Sequence, residues 1–295
     1  MRAPEASPIT FRRGIGCPFA SRSREWVLNT LRYLVALLIA LPSLAFAQCG
    51  PDAPCEIDGG SYHMLVPDGV SENAPALVFF HGHNATGGMI FRGGIRSDFA
   101  EAGYLVIAPN GTPIEGRKTL RWAGREGSTR DDVDFTLAVI EDAKARTSID
   151  PDRSYVAGFS AGGSMAWLMA CKAAAPFAGF ASISGALRQP NDTTDCPIAP
   201  VRFLQIHGFG DNQVPFEGRA IRDWHQGSVW DSLSLARGAN QCRSHPDRID
   251  IGDRFRCRMW DDSCADGAIT FCEHDGGHGL PRGWTVMARD WFEAG

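Results

Sequence analysis

The chain has 295 residues, of which 44% are hydrophobic, and its formal net charge is −5 at pH 7. This length and apolar content suffice for one large domain with a buried core. Leaving out residues 1–47 removes six arginines and two glutamates, so 23 basic and 32 acidic residues remain and the charge is −9. This acidic balance argues against nucleic acid and anionic membrane surfaces as partners.

The first predicted element is an export signal over residues 1–47. An apolar run at 31–47 follows basic residues and ends in Ala-Phe-Ala, a small-residue cleavage pattern. We therefore expect a secreted or periplasmic protein without a stable membrane anchor after cleavage, and a single domain over residues 48–295. A membrane anchor is the weaker alternative, since Pro42 interrupts the run. Residues 1–25 have no pattern, and an over-long translation start is an open alternative for them.

Eight of the nine cysteines follow the signal, and an even number in an exported chain predicts disulfides. Cys49 and Cys55 would form a local loop. A Cys171–Cys196 bond would tie a predicted helix to the loop beyond the next strand. The sequence has no C-x-x-C motif, which argues against a redox site or a zinc ribbon. The last four cysteines are expected to pair among themselves, in an order that remains open: Cys242, Cys257, Cys264 and Cys272.

From Ser61 onward, strand and helix patterns alternate, which predicts a mostly parallel sheet with helices on both faces. Capping-box spacing at Thr129 and Asp132 predicts the start of a helix. Further helices are predicted at 161–174, 229–239 and 284–292. Short apolar runs bounded by Gly, Pro and Asn predict strands at 62–66, 76–80, 104–108, 154–159, 180–183, 201–206 and 269–273.

The predicted strand at 154–159 ends in Gly158-Phe159-Ser160-Ala161-Gly162, and a predicted helix follows directly. A G-x-S-x-G segment between strand and helix is typical of a nucleophile elbow, in which the serine occupies a strained turn. Glycines flank it because neighbouring backbone leaves no room for a β-carbon. We therefore predict Ser160 as a nucleophile. A purely structural turn is the weaker alternative.

Serine is a weak nucleophile at neutral pH, so it needs a histidine to take its proton and a carboxylate to orient that histidine. In the α/β-hydrolase fold these residues follow in the order Ser, Asp or Glu, His. Asp211 lies in a glycine-rich loop just past the predicted strand at 201–206, where α/β active sites are built. Asp211 is therefore the predicted acid. The competitor Asp223 has no strand before it.

A histidine among glycines follows the last predicted strand, in Gly276-Gly277-His278-Gly279. His278 is therefore the predicted base. The rival His274 lies nearer the strand and is expected to pack or to face solvent. His225 and His245 lie in polar sequence and are expected at the surface.

Two backbone N–H groups are predicted to bind the developing oxyanion. One belongs to Ala161, directly after the nucleophile. The other belongs to His83, in the loop His81-Gly82-His83-Asn84 after the predicted strand at 76–80.

These residues resemble a known family, the secreted α/β-hydrolases grouped as polyhydroxybutyrate depolymerase-like and feruloyl esterase-like serine esterases. The resemblance extends from about Tyr62 to Pro281. It rests on motifs in the same order, namely Phe80-His81-Gly82, Asp131-Asp132-Val133 with Phe135, Ile149-Asp150-Pro151, Gly158 to Gly163, His207-Gly208 with Asp211 and Val214-Pro215, and Gly276-Gly277-His278 with Pro281.

The resemblance implies a disulfide-stabilised α/β-hydrolase fold with Ser160, Asp211 and His278 as its triad. It also implies the disulfides Cys171–Cys196, Cys242–Cys264 and Cys257–Cys272. The chain departs from the family at His83, where a smaller residue is frequent, and at Leu280, where tryptophan is frequent. Leu280 and Trp122 are predicted to line the substrate cleft.

The leading hypothesis is an exported serine esterase that needs no cofactor and acts on short hydroxyalkanoate esters or oligomers. The alternative is a feruloyl or acetyl esterase acting on plant polysaccharide esters. A hypothesis of another class is a catalytically inactive hydrolase fold used as a binding module. A metallohydrolase is suggested by His81-x-His83, but no carboxylate-rich motif accompanies it, so we predict no metal site.

Overall fold

The computed structural model describes residues 49–70, 72–113, 116, 119–122, 130–188, 196–221 and 224–295. The predicted export signal lies outside the described residues, as do Thr129 and Asp223. Residues 48–295 cluster into a single compact unit. Among the described residues, no helix combines the length and the apolar character needed to cross a membrane.

The described residues form one large sheet and two small strand pairs. The strands are β1 Cys55–Ile57, β2 Gly60–Leu65, β3 Ala74–Phe80, β4 Leu105–Pro109, β5 Thr112–Pro113, β6 Leu120–Arg121, β7 Ile149–Phe159, β8 Gly179–Ile183, β9 Arg202–Gly208, β10 Arg219–Ile221, β11 Trp224–Gln226, β12 Arg248–Ile251, β13 Arg256–Trp260 and β14 Ala268–His274. Ten of them form one sheet in the order β1-β2-β4-β3-β7-β8-β9-β14-β13-β12. The strands from β4 to β14 in this order are parallel, and antiparallel strands extend the sheet at both ends.

Helices cover both faces of the sheet. The α-helices of the described residues are α1 Asp132–Arg146, α2 Ala161–Lys172, α3 Val229–Ala239 and α4 Trp284–Glu293, with two short helical segments at Gly87–Arg92 and Ile95–Ala100. Apolar side chains of α1, α2 and α3 belong to the buried cluster on one face. Those of α4 and the short segments belong to the cluster on the other face. This layered arrangement confirms the predicted α/β class.

The N-cap of helix α1 lies two residues later than Thr129. Its N-cap is Asp131, whose carboxylate accepts the backbone N–H groups of Val133 at 2.8 Å and Asp134 at 3.2 Å. An aspartate in this position satisfies N–H groups that lack partners within the helix. Asp131 therefore takes the capping role that the sequence pattern suggested for Thr129.

Four disulfides join the cysteines that follow the predicted signal. They are Cys49–Cys55, Cys171–Cys196, Cys242–Cys264 and Cys257–Cys272. The last one links directly opposed residues of β13 and β14. These are the pairs expected from the local spacing and from the family resemblance.

The structure contains strands that the sequence did not predict, chiefly β12 and β13. All four side chains of β12 are exposed, and Arg and Asp alternate there with Ile. This alternation covers only four residues, the lower limit at which it indicates a strand, and the sequence on both sides of it is polar. The late part of the chain therefore extends the sheet by an antiparallel edge.

Candidate active site

Ser160 lies at the junction between β7 and α2, at the carboxyl end of the parallel strands. Its backbone has φ 57° and ψ −117°, a conformation that L-residues rarely adopt and that costs on the order of 1–3 kcal/mol. The Ser160 N–H donates to the carbonyl of Ile183 at 2.8 Å, at the end of β8. The neighbouring strand therefore holds the strained turn in place.

Two glycines permit the close approach of backbone around this turn. A β-carbon on Gly158 would overlap the carbonyl of Gly162. A β-carbon on Gly162 would overlap the carbonyls of Phe80 and His81, at the end of β3. The first turn of α2 is thereby packed against the loop that carries His83. This is the close packing that the G-x-S-x-G pattern predicted.

The imidazole of His278 connects the two other candidate residues. Its Nε2 lies 2.8 Å from the hydroxyl of Ser160, and its Nδ1 lies 2.8 Å from Oδ2 of Asp211. The Asp211 carboxylate accepts only, so Nδ1 carries the proton and Nε2 is left to accept one from the serine. The structure therefore brings together three residues that are 51 and 67 positions apart along the chain.

The carboxylate of Asp211 is buried and fixed by its own loop. Its Oδ1 accepts the N–H groups of Gln213 at 2.9 Å and Val214 at 2.8 Å, which leaves Oδ2 for His278. Burial raises the pKa of Asp211, but the hydrogen bonds from His278 and the Val214 N–H outweigh burial, so the pKa lies below its ordinary value. Asp211 is therefore ionised at neutral pH.

A buried hydrogen-bond chain behind Asp211 was not predicted from the sequence. Trp167 of α2 donates to Oε1 of Gln205 at 2.8 Å, and Nε2 of Gln205 lies 3.0 Å from Nδ1 of His207. Nε2 of His207 then donates to the carbonyl of Val214 at 2.8 Å. This chain of hydrogen bonds thus connects the helix behind Ser160 with the turn that holds Asp211.

The sequence of β9 contains a signal for this chain of hydrogen bonds. Side chains at alternate positions of a strand point to the same face. Phe203, Gln205 and His207 therefore share one face, and Phe203 stacks on Trp167 with ring centroids 3.7 Å apart. Two polar residues in line with a buried aromatic residue indicate a buried polar network, because such groups require hydrogen-bond partners.

His81 anchors the loop after β3. Its Nε2 accepts the N–H of Gly111 at 3.1 Å, so its proton lies on Nδ1, which donates to the carbonyl of Gly82 at 2.8 Å. Burial lowers the pKa of His81 to about 4. Both ring nitrogens are thus occupied by protein groups, which leaves the side chain no position for a metal. No metal-binding cluster of His, Cys, Asp and Glu occurs among the described residues.

The buried His81 should make the protein less stable below neutral pH. The unfolded chain protonates this histidine near pH 6.5, whereas the folded protein keeps it neutral until about pH 4. The unfolded state therefore binds more protons in this window, and stability falls as pH falls. We expect His81 to account for a loss of about 2 kcal/mol between pH 7 and pH 5, measured as the free energy of unfolding in urea.

The control compares two substitutions of histidine. In His81→Gln the amide can still accept from Gly111, and the loss of stability between pH 7 and pH 5 should shrink by about 2 kcal/mol. In His245→Gln, which changes an exposed histidine, the loss should equal that of the wild type. An equal pH dependence in His81→Gln and the wild type would contradict the assignment.

Trp122 does not lie where the sequence analysis placed it. Its side chain is only 2% exposed, so it offers no surface to a substrate. Its indole N–H donates to the carbonyl of His81 at 2.7 Å, and its ring packs against Phe80 at 5.0 Å. Trp122 therefore supports the His81 loop from behind. Leu280, the other predicted cleft residue, is 48% exposed two residues after His278.

The remaining candidate residues are three further histidines and the two predicted oxyanion donors. The ring of His274 is buried, and its Nδ1 accepts the N–H of Gly276 within its own turn. His225 and His245 are exposed, as predicted. His83 is exposed in the loop after β3, and Ala161 is buried at the start of α2. The two predicted oxyanion donors thus belong to segments that pack together through Gly162.

Comparison with known proteins supports a hydrolase. Residues 95–196 match the model of the prolyl oligopeptidase family. The chain is 31% identical over 172 residues to a probable feruloyl esterase C of Aspergillus niger, an alignment covering 55% of this chain and 59% of that protein. It is 29% identical over 218 residues to a probable feruloyl esterase C of Aspergillus clavatus, covering 65% and 73%. The chain thus spans less than two thirds of the length of the Aspergillus niger protein.

Among solved structures, the fold resembles the acetyl xylan esterase from Aspergillus awamori. The TM-score is 0.60 at 17% identity, and the match covers 80% of this chain and 94% of that protein. A carboxylesterase of Bacillus cereus matches with a TM-score of 0.51 at 14% identity, covering 79% and 93%. At these identities the likeness concerns the fold, which is that of the α/β-hydrolases.

Proposed function

We propose that this chain, an α/β-hydrolase similar to feruloyl esterases, hydrolyses carboxylic esters through an acyl-enzyme formed on Ser160. One observation carries the proposal: the imidazole of His278 lies 2.8 Å both from the Ser160 hydroxyl and from the Asp211 carboxylate. Such a serine, base and acid arrangement serves acyl transfer. An inactive binding module would have no need of it.

In the first half of the reaction, Ser160 attacks the ester carbonyl while Nε2 of His278 takes the hydroxyl proton. Asp211 holds Nδ1 of His278 and stabilises the positive charge that develops on the ring. The backbone N–H groups of Ala161 and His83 are proposed to bind the oxyanion. Donors of this kind each contribute about 3 kcal/mol to transition-state stabilisation.

In the second half, His278 gives its proton to the leaving alcohol, and the acyl group stays on Ser160. His278 then takes a proton from water, which attacks the acyl-enzyme, and returns it to the serine. No cofactor is required for either step. The same imidazole therefore serves as base and acid in turn, which requires that it lie on the side of the leaving group.

For the substrate, we propose feruloyl or acetyl esters of plant polysaccharides. The names of the relatives support this alternative better than hydroxyalkanoate esters, which the sequence motifs first favoured. The four disulfides support an oxidising compartment outside the cytoplasm. This fits the export signal predicted for residues 1–47.

A panel of esters tests the substrate class. The wild type should hydrolyse methyl ferulate or acetylated xylo-oligosaccharides with a kcat/KM about tenfold or more above that for hydroxybutyrate oligomers, because specificity is set by contacts in the cleft. The Ser160→Ala variant provides the blank for contaminating activity. A higher kcat/KM for hydroxybutyrate oligomers would instead favour the depolymerase hypothesis.

A further inference from the structure

An exposed phenylalanine lies beside the candidate active site and has no part in the mechanism above. Phe209 is 70% exposed, and it follows the end of β9 by one residue and precedes Asp211 by two. Consecutive Cα atoms are about 3.8 Å apart, so the Cα atoms of Phe209 and Asp211 are within about 8 Å of each other. A single exposed apolar residue is ordinary on a protein surface, so it is this position that matters.

The ring of Phe209 belongs to an aromatic surface. Its centroid lies 6.4 Å from that of Phe216, and Phe216 stacks on Trp230 at 4.8 Å. Trp230 is itself 43% exposed. Phe216 in turn packs edge-on against Phe271 of the sheet at 6.0 Å. The exposed ring therefore lies next to a packed cluster of aromatic side chains.

Backbone hydrogen bonds attach Phe209 to the segment that leads to the base. The Phe209 N–H donates to the carbonyl of His274 at 2.7 Å, and the Gly210 N–H donates to that of Gly276 at 2.9 Å. Leu280, which is 48% exposed, lies two residues after His278 in the sequence. Two exposed apolar side chains therefore belong to the loops that hold His278.

The mechanism determines which part of an ester these loops would meet. His278 must give its proton to the leaving oxygen, so the alcohol part lies towards Nε2 of His278. The carbonyl oxygen lies towards the proposed donors, which are the Ala161 N–H at the start of α2 and the His83 N–H on the loop after β3. Phe209 lies in the Asp211 loop, which is hydrogen-bonded to the segment just before His278, and we take this as the side of the leaving alcohol.

We propose that Phe209, with Leu280, forms a subsite for the leaving alcohol and that this subsite binds a sugar ring. The proposal rests on the proposed esterase function. One face of a sugar ring is a row of C–H groups, which carry partial positive charge and pack on the negative face of an aromatic ring. A methyl alcohol has no such face and gains little from Phe209.

The test uses two esters with the same acyl group and different alcohols. Methyl ferulate is compared with feruloyl arabinofuranose, or methyl acetate with acetylated xylose if the enzyme prefers acetyl esters. The readout is the ratio of kcat/KM for the sugar ester to kcat/KM for the methyl ester. Phe209→Ala should lower this ratio about tenfold, whereas Phe209→Tyr, which keeps the aromatic ring, should retain most of the wild-type ratio.

The control variant is Ile251→Ala. Ile251 is 75% exposed on the edge strand β12 and should leave the ratio as in the wild type. An unchanged ratio in Phe209→Ala would overturn the proposal. The proposal would also be overturned if kcat/KM fell according to the acyl group when the alcohol is kept the same. An equal fall of the ratio in Phe209→Tyr would overturn it too. A change in sedimentation coefficient without a change in the ratio would make Phe209 an interface residue instead.

The outcome for the subsite is distinct from that for the proposed function. If the wild type hydrolyses neither ester faster than Ser160→Ala, the esterase function fails, and the subsite fails with it. If the wild type hydrolyses both esters and only the ratio is insensitive to Phe209, the esterase function stands and the subsite alone is wrong.

Discussion

Replacing Ser160 by alanine is expected to lower kcat for ester hydrolysis by about 10⁵-fold or more. The substitution removes the only atom of the proposed site that forms a bond to the acyl group. What remains is the activity of the oxyanion donors and of water held near His278, which leaves a small rate above the uncatalysed one. The measurement is kcat on the best ester of the panel, with the free energy of unfolding determined in parallel.

Ser184 provides a matched control for this substitution. It also has a positive φ, of 54°, it follows β8 directly, and its hydroxyl has no hydrogen-bond partner among the described residues. Ser184→Ala should therefore keep activity within about threefold of the wild type. A serine-reactive phosphonate should label the wild type and Ser184→Ala but not Ser160→Ala. Hydrolysis that persists in a folded Ser160→Ala protein would rule out the acyl-enzyme on Ser160.

Replacing Asp211 by asparagine is expected to lower kcat by about 10⁴-fold with little change in KM. Oδ2 of Asp211 accepts from Nδ1 of His278, while Oδ1 accepts the N–H groups of Gln213 and Val214. An asparagine that keeps the two backbone hydrogen bonds turns its NH₂ group towards His278. The imidazole of His278 must then carry its proton on Nε2. A protonated Nε2 cannot accept the proton of Ser160.

The control for Asp211→Asn is a second carboxylate near the same loop. Asp275 lies one residue past β14 and forms an exposed ion pair with Arg256, and its side chain is 84% exposed. Asp275→Asn should keep activity within about threefold of the wild type, because exposed ion pairs contribute little. If Asp211→Asn in a folded protein retained activity comparable with Asp275→Asn, Asp211 would not be the group that orients His278.

The order of strands and helices along the chain follows largely from local patterns in the sequence. The buried strands β3, β4 and β8 are short apolar runs between turn residues, and β7 runs into the elbow with its glycines. Helix α3, predicted at 229–239, has the same bounds in the structure. Strand β7 starts at Ile149, five residues before its predicted start. Its first residues include exposed Asp and Pro, which hide the apolar pattern.

The sequence by itself determined the sheet class, the elbow and the candidates Ser160, Asp211 and His278, because each depends on residue types next to a predicted strand. Only the tertiary structure decided which contacts form between segments that are distant in sequence. Trp122 became a buried support because its indole reaches the His81 carbonyl, 41 residues away in the chain. Likewise, Gln205 and His207 connect Trp167 to the Asp211 turn. Such contacts join segments whose spacing in sequence carries no information on their distance in space, so only packing of the folded chain fixes them.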